Sequence, residues 1–162
     1  MKKESNPLRT LQRAQRKAIV YGVLSLAVIG FIFTQSLLSK ESSGSLSASV
    51  VAFLHPLLDP NGWIDVDTFH FLVRKAAHFT EFAVLGLCLG GFAGNLGVIR
   101  FRRYIALPML IALGVAVADE FLQYFTGRGS MVTDVVLDYA GAMTGLAVSW
   151  LFGCLCSRRF EK

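Results

Sequence analysis

The sequence predicts an all-α integral membrane protein: a bundle of four transmembrane helices with an interfacial helix between the first and the second. Apolar residues make up 54% of the 162 residues, and the mean hydropathy of +0.54 exceeds what a water-soluble core of this size needs. These residues fall into four long blocks, Ala18 to Leu38, Ala76 to Ile99, Tyr104 to Phe125 and Met131 to Cys154. About 20 residues rising about 1.5 Å each cross a hydrocarbon layer of about 30 Å. The expected division is a basic tail over 1–17, a transmembrane domain over 18–154 and a second tail over 155–162.

Basic residues ahead of the first block also describe a secretory signal peptide, and Ser45 to Ser49 imitate its small-residue cleavage region. The apolar stretch is about twice the length of a signal core, so it reads as a retained helix. Charge orients the bundle. Lys2, Lys3, Arg9, Arg13, Arg16 and Lys17 precede the first block, Arg100, Arg102 and Arg103 separate the second from the third, and Arg158, Arg159 and Lys162 follow the fourth. Positive loops stay in the cytoplasm, so both termini are expected there. The opposite side carries Lys40, Arg74, Lys75 and Arg128 against nine acids: Glu41, Asp59, Asp65, Asp67, Glu81, Asp119, Glu120, Asp134 and Asp138. The net charge of +5 is therefore a topological signal, with contact to anionic lipid and no nucleic-acid partner expected.

Between the first two blocks, Leu46, Val50, Phe53, Leu54, Leu57 and Leu58 recur at helical spacing until Pro56 and the Asp59-Pro60-Asn61-Gly62 turn stop the pattern. This is the interfacial helix. Trp63, Phe69 and Phe71 suit an aromatic belt just before the second span. Asp59 to Asp65 faintly resembles a calcium loop, but Leu57 and Thr68 stand where acidic ligands belong. His55 and His70 lack ligand spacing, and Cys88, Cys154 and Cys156 support neither a disulfide nor a metal site. No metal or cofactor is expected.

The chemistry gathers in the outer half. Ionisable residues inside a spanning helix cost roughly 2.5 to 3.5 kcal/mol each at its centre, so a cluster of them needs a reason. Arg74, Lys75, His78 and Glu81 open the second span, with His78 four residues from Arg74 and three from Glu81, on one face. Asp119, Glu120 and Gln123 close the third, with Arg128 in the turn beyond. Asp134 and Asp138 open the fourth and continue at the same spacing into Gly141 and Gly145, a flat stripe for close helix approach. Because the second and fourth spans run inward and the third outward, all three motifs meet in one layer. Glu81 needs a partner there, and Arg74, Lys75, His78 or Arg128 can supply it. Arg74, Lys75, His78, Glu81, Asp119, Glu120, Gln123, Arg128, Asp134 and Asp138 are the candidate binding residues, and His78, Glu81 and Asp119 the catalytic candidates. These types permit His78 with Glu81, Asp119 and Asp138 to hold a divalent cation, or Glu81 to orient His78 as a general base. A buried ion-pair network locking the bundle is the structural alternative.

In this order, Arg74-Lys75-x-x-His78-Phe79-x-Glu81-Phe82, Asp119-Glu120-x-x-Gln123-x-Phe125, Gly127-Arg128, Asp134 and the Gly141/Gly145 helix resemble the VanZ-like family, over about residues 74 to 150 and with Ser36 near the end of the first block. Thr126 stands where many members have Pro, and Asp138 where Asn is common. The resemblance implies a multi-pass protein of the bacterial cytoplasmic membrane, and it links the chain to teicoplanin resistance without carrying over a reaction. The expected function is binding of an amphiphile, a cell-wall lipid intermediate or a lipid-tailed glycopeptide at the outer leaflet. The alternatives are a membrane-embedded enzyme acting on such a lipid and an ion-coupled transporter; no oligomeric state is assigned.

Overall fold

The computed structural model describes residues 7–38, 40–96, 106–127 and 131–159. Among them are five helices and no strand: α1 (Pro7–Ser36), α2 (Lys40–Leu58), α3 (Val66–Leu96), α4 (Ala106–Phe125) and α5 (Val132–Arg159). All but α2 are long and apolar enough to cross a membrane, which makes this a multi-pass membrane protein. The expected span limits at Ile99 and Tyr104 lie outside the described residues.

Local chemistry sets the helix ends. Pro7 opens α1, where a missing N–H costs nothing because the first-turn donors have no helical partner. The helix then runs for 30 residues, about 45 Å, so its basic first turns extend past the apolar section. α2 begins at Lys40 and continues through Pro56 to Leu58, where the expected apolar pattern also ends; so near the C-terminus the proline removes only one hydrogen bond. Asp59 then closes the loop. Its carboxylate accepts the N–H groups of Ile64 (2.6 Å) and Trp63 (3.0 Å), and these bonds, Ile64 first, hold its carboxyl below the ordinary range. Gly62 takes the left-handed φ of 65° that the reversal requires. His55 bridges the same loop, with Nε2 3.1 Å from the Ile64 carbonyl oxygen and its ring edge-on to Phe69 at 4.8 Å.

The second span starts earlier than hydropathy suggests. Asp65 caps α3 by accepting the Thr68 N–H at 2.9 Å, so the helix begins at Val66 and not at Ala76, and Phe69 and Phe71 belong to it. Asp67, Arg74 and Lys75 dilute the apolar signal in those first turns without interrupting the backbone hydrogen bonds.

α3 is the central element. Phe82, Leu85 and Leu89 are buried among Ile32 of α1, Ala112, Val115 and Ala116 of α4, and Ala142 of α5. The expected glycine stripe is where α5 meets α3. A β-carbon built on Gly145 would lie 1.9 Å from the Ala83 carbonyl oxygen, and one on Gly141 2.4 Å from that of Phe79. The approach is reciprocal: Gly86 lies equally close to the Ala142 carbonyl. Polarity is inverted relative to a soluble protein. Leu26, Phe53, Phe121 and Val132 are exposed, whereas Ser36, Asp119, Glu120, Gln123 and Asp138 are buried. That distribution suits a hydrocarbon solvent outside and a polar cluster within.

Candidate functional site

The buried ionisable residues lie at one end of the bundle, where α1 and α4 finish and α3 and α5 have begun. His78 of α3 is the meeting point. Its Nδ1 lies 3.8 Å from Asp119 Oδ2 of α4 and 3.9 Å from Asp138 Oδ1 of α5. Among the described residues these three form a group whose possible ligand atoms all lie within 4.8 Å of one another. Helical period explains the convergence: Phe82, four residues after His78, is a core residue, so His78 points inward on the same face.

Asp119, fully buried, is held from two sides. Gln123, one turn later, donates to its Oδ2 at 2.8 Å, and Ser36 at the end of α1 bonds its Oδ1. The Ser36 hydroxyl also lies 3.1 Å from the Ile32 carbonyl oxygen, so α1 reaches the site through its last residue. Asp138 differs. It is 1% exposed, and neither of its carboxylate oxygens has a hydrogen-bond partner.

The flanking charges sort differently from the sequence expectation. Lys75, not Arg74, makes an ion pair among the described residues, with Asp134 of α5, and its ammonium also lies 5.1 Å from the Phe71 ring centre. Arg74 lines a small recess with Lys75, His78, Asp134, Leu137 and Asp138. Glu120 serves the α4–α5 turn, accepting the Met131 N–H at 3.1 Å. Glu81 lines an open-sided apolar groove of about 730 Å³ between α1, α2 and α3. Arg128 lies outside the described residues.

One contribution was not foreseen. The Thr126 hydroxyl lies 3.1 Å from the carbonyl oxygens of both Ser36 and Gln123, joining the ends of α1 and α4 just before Gly127 turns the chain at φ 69°. Leu54 and Leu58 of the interfacial helix α2 close one side of the groove, whose remaining lining comes from α1 and α3.

The geometry can hold a charge or a proton between His78 and two carboxylates, and it can seat an apolar chain a short distance along α3. No curated protein and no solved structure matches the chain. The family model described as VanZ/LLP1 matches residues 18–153, which include every helix that meets at the polar end and the whole apolar groove. The chain belongs to the VanZ/LLP1 family.

Proposed function

We propose that this protein binds an amphiphile of the cell envelope, a cell-wall lipid intermediate or a lipid-tailed glycopeptide such as teicoplanin, at the outer leaflet of the cytoplasmic membrane. The observation that carries the reading is the groove. Leu24, Phe31, Leu54, Leu58, Val73 and Val84 offer an apolar channel for an acyl chain, with Thr80 and Glu81 as its only strongly polar lining. Ligand sites are mostly apolar with a few convergent polar groups. Arg74, one turn before His78, has no ion pair among the described residues and suits an anionic headgroup.

Ala77→Trp, which adds bulk to the groove wall, is expected to abolish crosslinking by a phospholipid carrying a photoreactive acyl chain, while the parent is labelled on α1 and α3. In a susceptible Gram-positive host the parent should raise tolerance to teicoplanin several-fold more than to vancomycin, and Ala77→Trp should lose the difference at unchanged membrane abundance. Equal crosslinking of parent and variant would remove the groove from the reading.

The outer-leaflet assignment rests on the basic residues at the other end of the bundle. With the three native cysteines replaced, a membrane-impermeant thiol reagent applied to intact cells should label Asn61→Cys and miss Ser5→Cys. The opposite pattern would invert the protein and place the site in the cytoplasm.

A second reading, a membrane enzyme on such a lipid, is favoured by His78 lying between Asp119 and Asp138. There His78 and Asp119 would serve as base and acid. Chemical turnover of a bound lipid by the parent but not by His78→Gln separates it from simple binding.

A further inference from the structure

We propose that His78, Asp119 and Asp138 form a site for one divalent transition-metal ion of the zinc or manganese type. The proposal is independent of the groove and of whatever amphiphile occupies it.

Three helices each supply one ligand: His78 from α3, Asp119 from α4 and Asp138 from α5. Their separations of 3.8 and 3.9 Å are too long for hydrogen bonds. They are close to the spacing of two ligands on one ion, about 3.4 Å when a tetrahedral metal holds nitrogen and oxygen at about 2.0 to 2.2 Å. All three possible ligand atoms lie within 4.8 Å of one another, so side-chain shifts of under about an ångström would bring them onto one ion. One imidazole with two carboxylates matches zinc and manganese better than calcium, which takes oxygen ligands only.

Asp138 supplies the independent observation. Its carboxylate is buried and both oxygens lack a hydrogen-bond partner. A buried carboxylate without a donor is costly. A cation bound between His78, Asp119 and Asp138 satisfies the orphaned oxygens and offsets the negative charge together. Lys75 is already engaged by Asp134.

The surroundings fit the outer shell of a metal ligand. Gln123 and Ser36 hold the two oxygens of Asp119 in place, as carboxylate ligands usually require. The recess lined by Arg74, Lys75, Asp134 and Leu137 adjoins His78 and Asp138 and marks the side from which an ion would reach them.

The test uses the full chain, purified in detergent, with Cys154 and Cys156 replaced by serine so that thiols hold no metal. After EDTA treatment and dialysis, titration with ZnCl2 or MnCl2 should load one equivalent per chain, confirmed by elemental analysis, with micromolar or tighter affinity. His78→Gln and Asp138→Asn should each weaken binding tenfold or more, whereas His55→Gln should not. The two site variants are near-isosteric and lie on different helices, so the test survives the failure of either to fold. In EDTA, Asp138→Asn should unfold at or above the parent's midpoint, because it removes an uncompensated charge. Absence of stoichiometric binding by the parent, or binding unchanged in the site variants, would overturn the proposal. Lipid crosslinking in the groove would be unaffected by that failure, which keeps the two readings separable.

Discussion

Gly145→Leu is expected to lose most folded protein in detergent, the largest stability effect of any single change in the bundle. The β-carbon it introduces would sit 1.9 Å from the Ala83 carbonyl oxygen and 2.7 Å from the Leu87 nitrogen, both of them backbone atoms that no side-chain rotation can move. Relief requires α5 to separate from α3, which unpacks Ala142 from Leu85 and draws Asp138 away from His78. Overpacking costs about 1 to 3 kcal/mol in an adaptable core and sometimes more; a clash with backbone on both helices places this substitution at or above the upper end. Gly86→Val meets the same barrier from the other side, against the Ala142 carbonyl at 2.0 Å. Gly30→Ala and Gly114→Ala are the controls: nothing lies within 4 Å of either new β-carbon, so their midpoints should match or slightly exceed the parent's. Thermal unfolding followed by size-exclusion chromatography measures all four. A stable, monodisperse Gly145→Leu would mean that the α3–α5 contact is looser than this geometry.

Lys75→Met should give the second largest loss. The Lys75 and Asp134 side chains are only 19% and 14% exposed, so removing the ammonium leaves the Asp134 carboxylate largely desolvated. Breaking a buried pair costs about 3 to 5 kcal/mol. Partial exposure puts this one near the lower end. The double variant Lys75→Met with Asp134→Leu should recover most of the loss, since replacing both charges with apolar groups strands neither. Arg74→Gln, by contrast, breaks no ion pair among the described residues and should change stability little while weakening capture of an anionic headgroup. Chemical or thermal denaturation of the parent, Lys75→Met, Asp134→Leu and the double variant gives the coupling energy directly. If Lys75→Met proves as stable as the parent and only function is lost, the pair is part of the site and does not staple the bundle.

Adjacent residues on α3 show how far sequence reasoning reached into this site. Arg74 and Lys75 were both recognised as belonging to the cluster, yet among the described residues the ion pair to Asp134 is made by Lys75 alone. One residue is about 100° of helix rotation, and nothing local reports how far α3 is turned about its axis relative to α5. That Glu81 also lines the apolar groove is likewise a matter of how α1 and α2 pack against α3, which the spacing along α3 does not report. The glycine stripe was legible because it concerns a single helix: Asp134, Asp138, Gly141 and Gly145 recur at one spacing, and the stripe packs against α3 as that spacing implies. Glu120 and Thr126 were harder. Both act on backbone groups of turns and neighbouring helix ends, Met131 for one and Ser36 for the other, contacts that leave no periodic trace.

The sequence by itself determined the solvent, the number of spans and the end of the bundle where the chemistry collects. Each of these follows from local quantities: hydropathy summed over a span, and the position of charged residues along it. Only the tertiary structure decided that Asp119 and Asp138 both face His78, that Asp138 is buried with no hydrogen-bond partner, and that α1, α2 and α3 leave a groove open between them. Those outcomes depend on the rotation and tilt of whole helices. Small residues such as Gly86, Gly141 and Gly145 set these by allowing α3 and α5 to pack backbone against backbone, and that close approach brings the ligands of three separate helices within a few ångströms of one another.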